Sequence, residues 1–354
     1  MTNLTRADLD ALPSYIPGRS IPGSIKLASN EVPYGPLPGV VEALTVALTE
    51  VHRYPDMGVV ALRDALAART GAAAERIATG CGSVALAEHL VRATCLPGDE
   101  VIYSWRSFEA YPIITATAGA ASVRVPNTAA HGHDLRAMAA AVNDRTRLIF
   151  VCNPNNPTGT AVRRAELDAF LDAVPSNVLV VLDEAYREFV TDPDVPDGLA
   201  TYGDRPNVAV LRTLSKAWGL AGLRVGYLVA GPEVAAAVRK VVTPFSTSLA
   251  AQTAALAALK AEDEMARRAA LVVSERERLL AAVRQLVPDV PESQANFVWL
   301  PLGERAVAFG QGCEEHRIIV RPFAGDGVRV TVGTPEENDA FLAALREALE
   351  EVAP

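Results

Sequence analysis

Residues 208–229 read VAVLRTLSKAWGLAGLRVGYLV. Two short apolar runs, 208–211 and 225–229, flank a glycine-punctuated segment that carries Ser215, Lys216 and Arg224. Runs of that length bounded by turn residues are what strands buried on both faces look like. A lysine just beyond such a strand stands where open α/β sheets bind their ligands, outside the carboxyl ends. A serine–lysine pair is by itself ordinary surface chemistry, so the reading depends on what the rest of the chain brings to the same edge.

Outward from this segment, further apolar runs occur at 100–103, 122–125, 148–152 and 178–182. Helical patterns or loops separate several of them. This layout predicts an α/β fold, with a mostly parallel sheet flanked by helices. Gly231-Pro232 breaks the pattern. An alanine-rich helical region follows over 233–287, interrupted near Pro244. Then SQANFVWLPL, RIIVRPF and GVRVTVG read as strands, and PEENDAFLAALREALEEV as a closing helix. LPGVVEALTVALTEV (37–51) and VVALRDALAARTG (59–71) read as helices, the second stopped by Gly71. The expected organisation is an arm (1–30), a large domain (31–250) and a smaller C-terminal α/β domain (251–354).

A chain of 354 residues, half of them hydrophobic, suits two such cores. Its net charge of −9 argues against nucleic acid or an anionic membrane surface as partner. Cys81, Cys95, Cys152 and Cys313 form no CxxC pair, and the first residues lack a basic stretch followed by an apolar run. No uncharged apolar run is long enough to span a bilayer. These readings fit a cytoplasmic protein, with Cys95 and Cys152 expected in the core.

Four features fall at strand ends. NPNNPTG (153–159) follows 148–152, and Asp183, in DEAY, follows 178–182. Lys216 and Arg224 follow 208–211, and ATGCGSVALAEHL (78–90) joins a short apolar piece to a helix starting near Ser83. Singly, each is turn or capping chemistry. Together they match what pyridoxal 5′-phosphate (PLP) requires. Lys216 can supply the amine that forms an imine with the cofactor's aldehyde. Asp183 can keep the pyridine nitrogen protonated, and Asn156 and Tyr186 can donate to the ring oxygen. Ser83, Val84, Ser215 and Arg224 can hold the phosphate at a helix start. Phe108 can lie against the ring.

NPNNPTG, DEAY and SKAWGLAGLRVG, in this order, resemble the fold-type-I PLP aminotransferases. The group most similar is that of the histidinol-phosphate and aromatic amino-acid aminotransferases. The resemblance runs from KLASNEVPYGP and RYPD through VRVTVGTPEEN. It implies the aspartate-aminotransferase-like arrangement, a large domain with a seven-stranded sheet plus a smaller α/β domain. It implies Lys216 as Schiff-base lysine and proton carrier, and a homodimer with shared sites, Tyr54 of RYPD reaching the neighbouring subunit's cofactor phosphate. Arg329 matches the arginine for the substrate carboxylate, and Arg321 a second position for substrate phosphate or carboxylate, whose alternative is a surface ion pair. Tyr15 of the arm would close over the substrate or simply pack.

Departures from the histidinol-phosphate pattern are Cys81, Val84–Ala85 and WRSFEAYP (105–112), the last similar to actinobacterial-type aromatic aminotransferases. They favour an aromatic amino acid (phenylalanine, tyrosine or tryptophan) as donor and 2-oxoglutarate as acceptor, with histidinol phosphate as the alternative. Gly80-Cys-Gly-Ser-Val-Ala85 also fits a dinucleotide fingerprint, but the strand before it is short for that use. A decarboxylase of the same fold, or a regulator that kept the domain, are further rivals. The regulator normally carries a DNA-binding head, for which this chain offers no basic helix. His131 and His133 lack the companions of a metal site.

Overall fold

The computed structural model describes residues 4–6, 9, 10, 12 and 18–351. The chain contributes a two-residue strand, β1 (Ile25–Lys26), before the large sheet. That sheet takes β2 (Ile77–Gly80), β3 (Glu100–Trp105), β4 (Ala121–Pro126), β5 (Thr146–Cys152), β6 (Leu179–Asp183), β7 (Val208–Thr213) and β8 (Gly226–Val229). The spatial order is β2-β8-β7-β6-β5-β3-β4. Pairings among β3 to β7 are parallel, while β8 runs antiparallel to both β7 and β2. The connection from β7 to β8 holds no crossover helix, only the short 3-10 turn Ala221–Leu223. Parallel neighbours need a crossover, usually a helix, whereas β7 and β8 are joined by only residues 214–225, closed by Leu214 N–H donating to the Val225 carbonyl at 3.0 Å.

Alternate side chains fill two cores, because a strand points successive residues to opposite faces. Val101, Tyr103, Leu148, Phe150 and Val181 pack on one face with the helix Gly82–Thr94. Ile102, Ile149, Val151, Val180 and Leu182 pack on the other with the helix Arg164–Ala173. Cys95, Cys152 and Cys313 are buried free thiols, and Cys81 is exposed.

The alanine-rich region forms three helices: Pro232–Val241, Leu249–Leu259 and Glu262–Val283. The Pro244 interruption is present, and a second break at Lys260 and Ala261 interrupts what the alanine pattern suggested was continuous. Beyond it lie β9 (Phe297–Leu300), β10 (Ile318–Ile319), β11 (Arg321–Phe323) and β12 (Gly327–Thr331). β11, β12 and β9 form an antiparallel sheet in which Arg321 faces Arg329 across the strands. β10 pairs in parallel with β1, so the end of the arm is tied to the C-terminal part. A third apolar cluster joins Leu27, Trp218, Ala254, Phe297, Phe309 and Phe341. Among the described residues no helix is long and apolar enough to cross a membrane.

Candidate active site

The carboxyl ends of β5, β6 and β7 open into a cavity of about 260 Å³, lined also by β11, β12 and the start of the helix Gly82–Thr94. Lys216, Ser83, Val84, Phe108, Asn156, Asp183, Tyr186, Ser215, Arg224, Arg321 and Arg329 all line it. Tyr54 does not: it is 82 % exposed and stacks on Phe245, ring centroids 4.6 Å apart. Tyr15 lies outside the described residues.

Lys216 lies three residues past the end of β7, and its Nζ donates to the Ser29 carbonyl at 3.2 Å. Burial, reinforced by the charge of Arg329, lowers its pKa to about 7. A sizeable uncharged fraction, the nucleophilic form, is therefore present near neutral pH.

Asp183 ends β6 and is buried. Its Oδ2 accepts from the Tyr111 hydroxyl at 2.7 Å, and its Oδ1 is buried without a hydrogen-bond partner. Burial raises its pKa to about 6 against the opposing pull of the Tyr111 hydrogen bond. A buried carboxylate oxygen with no donor marks a place where a donor belongs. Tyr111 itself stacks on Phe150 at 4.4 Å and meets Phe108 edge-on at 5.5 Å.

The NPNNPTG loop brings Asn156 over the same cavity, where its Oδ1 accepts from Arg329 Nη1 at 2.5 Å. Arg329 Nη2 donates to the Ala28 carbonyl at 2.8 Å. The Tyr186 hydroxyl accepts from Asn30 Nδ2 at 2.9 Å, and burial raises its pKa well beyond the usual tyrosine range. It therefore remains a protonated hydroxyl with its hydrogen available to the cavity.

Arg224 adopts the left-handed conformation, φ 56°, and donates to Ser215 Oγ at 3.1 Å. The helix Gly82–Thr94 starts beside it, so backbone N–H groups, a hydroxyl and a guanidinium converge. Such a convergence is suited to an anion. Gly82 permits the approach: its φ is 79°, and a Cβ there would fall 2.4 Å from Arg224 Nη2. The helix begins at Gly82, one residue earlier than the sequence pattern suggested, with exposed Cys81 as its cap residue.

Arg321 is occupied. Its Nη2 donates to Glu109 Oε2 at 2.8 Å, beside the ring of Phe323. His133 Nε2 lies 2.7 Å from the Cys152 carbonyl, and burial lowers its pKa to about 4. His89 is buried in the helix Gly82–Thr94. Asn30, Tyr111 and Glu109 are contributors that sequence reasoning did not single out. All three sit inside motifs already noticed, Asn30 in SNE and Glu109 and Tyr111 in SFEAYP. Nothing in the chain announces that Tyr111 reaches a carboxylate 72 positions away.

The strand ends of an α/β sheet thus gather a lysine of lowered pKa, a buried carboxylate and a guanidinium beside a helix start. The chain belongs to the aminotransferase class I and II family, whose model matches residues 22–345. It is 59 % identical over 341 residues to an aromatic amino acid aminotransferase of Streptomyces avermitilis, covering 95 % of each chain. It is 57 % identical over 343 residues to one from Rhodococcus jostii, covering 97 % of this chain and 95 % of that one. Among solved structures, histidinol-phosphate aminotransferase from Sinorhizobium meliloti in complex with pyridoxal-5′-phosphate superposes with TM-score 0.89 at 29 % identity. That match covers 100 % of this chain and 99 % of that one. The protein is an aminotransferase, which sets aside the dehydrogenase, decarboxylase and regulator readings.

Proposed function

We propose that this aminotransferase uses pyridoxal 5′-phosphate to move the amino group of phenylalanine, tyrosine or tryptophan to 2-oxoglutarate. The observation that carries the donor class is the shared name of relatives 55–59 % identical over at least 95 % of the chain. Histidinol phosphate is the second reading. It is supported by a structural neighbour of that name at about half the identity.

The residues present fit the cofactor. The unpartnered Asp183 Oδ1 suits a pyridine N–H, and the Gly82–Arg224 cradle suits a phosphate. Lys216 is the amine within the same cavity that would bond to the aldehyde. When bound, the cofactor supplies an electron sink that acidifies the donor's α-hydrogen. The chain's own side chains do the rest. Lys216 Nζ, with its lowered pKa, takes that proton and returns it. Asn156 Nδ2 and the Tyr186 hydroxyl hold the ring oxygen, the hydroxyl being positioned by Asn30. Phe108 covers the ring. Arg329, at its fork, takes the substrate carboxylate while Asn156 and the Ala28 carbonyl fix its orientation.

We further propose the division into arm (1–30), large domain (31–250) and small domain (251–354), a cytoplasmic location, and a homodimer in which Tyr54 serves the neighbouring site. Tyr15 would close over the substrate. The donor is tested by half-reactions. Purified holoenzyme is mixed in turn with phenylalanine, tyrosine, tryptophan and histidinol phosphate, and the loss of the bound cofactor's visible absorbance is followed. The aromatic amino acids should react with the larger rate over Kd. A strong preference for histidinol phosphate reverses the assignment.

A further inference from the structure

Arg106 stands directly after β3, two residues before Phe108, which lines the cavity together with Glu109. Its carbonyl accepts from Asn127 Nδ2 at 2.8 Å and from Asn155 Nδ2 at 3.1 Å, so its backbone is fastened to the strand ends of the large sheet. Its side chain reaches the other way. The guanidinium lies 4.6 Å from the Trp105 ring centroid and 5.6 Å from that of Phe323 on β11. Nε and Nη2 both donate to Asp326 Oδ2, Nε at 2.7 Å. Asp326 lies in the turn between β11 and β12, where its N–H donates to the Phe323 carbonyl at 3.0 Å. A second tie follows: Glu109 Oε2 accepts from Arg321 Nη2 on β11 at 2.8 Å. Segment 106–109 thus meets the β11–β12 hairpin twice, cation to anion at Arg106 and anion to cation at Glu109. A slip of one past the other would bring like charges together, so the alternation fixes their register.

We propose that Arg106 and Asp326 are positioning residues for the transamination: their ion pair holds the Phe108 segment against the β11–β12 hairpin and so sets the width of the cavity between Phe108 and Arg321. Exposed ion pairs usually contribute little, because ordering two long side chains offsets the attraction. This pair differs on two counts. The rings and the gripped carbonyl already order Arg106, and the two side chains are only 21 % and 38 % exposed, which limits screening by water. The tie lies away from Lys216, whose amine meets the Ser29 carbonyl. A cavity that opens at this wall therefore costs donor affinity rather than the rate of proton transfer. The inference rests on the site of the aminotransferase and is independent of which donor it prefers.

The test is a double-mutant cycle on the holoenzyme: wild type, Arg106→Gln, Asp326→Asn and the two combined. The half-reaction with phenylalanine, followed through the bound cofactor's visible absorbance, gives a donor Kd and a limiting rate for each. If wild type prefers histidinol phosphate, the same series is run with that donor, so the donor reading and this tie are judged separately. Each single variant should raise the donor Kd about tenfold and change the limiting rate by less than about threefold. The combined variant should raise Kd no further than a single one, because all three lose the same contact. Arg106→Lys, which keeps the charge, should bind the donor more tightly than Arg106→Gln. An unchanged Kd in both single variants overturns the proposal, as do single effects that add in the combined variant, or a limiting rate that falls while Kd stays. Should Arg106→Gln fail to fold, Asp326→Asn at the more exposed end decides alone: a native circular dichroism spectrum with unchanged Kd overturns the proposal.

Discussion

Asp183 is fixed in its cavity by one side-chain hydrogen bond, from Tyr111, and its second oxygen has no partner among the described residues. Such a group costs the cofactor-free protein stability in a pH-dependent way. Its folded pKa, about 6, lies above the ordinary aspartate value near 3.9. Between those values the native state binds more protons than the unfolded chain, so stability falls as pH rises from about 4 to about 6. Below about 4 both states are protonated and the effect is absent. Cofactor-free Asp183→Asn should therefore be more stable than wild type at pH 8, by about 1–3 kcal/mol, and indistinguishable at pH 3.5. Urea unfolding at the two pH values checks this, and equal stability at pH 8 contradicts it. The same variant should bind the cofactor more weakly, because an amide cannot match a charged ring nitrogen. Lys216, Asp183, Asn156 and Arg224 were legible because each sits just past an apolar run or in a turn motif. Tyr111 and Asn30 were not, since their partners are set by tertiary proximity. Glu109 stood in a noticed motif, but its salt bridge to Arg321 crosses 212 positions and leaves no local pattern.

At the scale of elements, the helix Gly82–Thr94 carries the proposed anion cradle, and its first residue decides how closely Arg224 approaches. Gly82→Ala would put a methyl group 2.4 Å from Arg224 Nη2, at a φ of 79° that disfavours any side chain by about 1–2 kcal/mol. Cofactor affinity should drop about tenfold or more, measured by equilibrium dialysis, while the circular dichroism of the protein stays native. Unchanged affinity would remove Gly82 and Arg224 from the cradle. The strands of the large sheet were readable as elements because burial on both faces makes them continuous apolar runs. The reversal of β8 was not, since direction depends on whether residues 214–225 form a crossover helix, and they form only a short 3-10 turn. The extra break at Lys260 and Ala261 escaped notice because neither residue is a helix breaker by type.

At the scale of the whole molecule, one stretch of the described residues exposes apolar side chains. Val41, Val46, Leu48, Val51, Tyr54, Met57 and Val60 are all exposed within 20 residues, and Tyr54 leans on the exposed Phe245. Exposed apolar side chains of this kind are what the proposed homodimer would cover. The protein should sediment at twice the chain mass, and Leu48→Glu combined with Val51→Glu should shift it toward a single chain with loss of activity. A wild type that sediments as a single chain would contradict the shared-site arrangement. The central claim, that one amine among the whole chain holds the cofactor, can be read directly because only four lysines exist: Lys26, Lys216, Lys240 and Lys260. Holoenzyme is reduced with borohydride, digested and mapped by mass spectrometry. The account predicts the cofactor's mass on the Lys216 peptide, with the other three lysines unmodified. Reduction that places it on another lysine, or on none, would contradict the account.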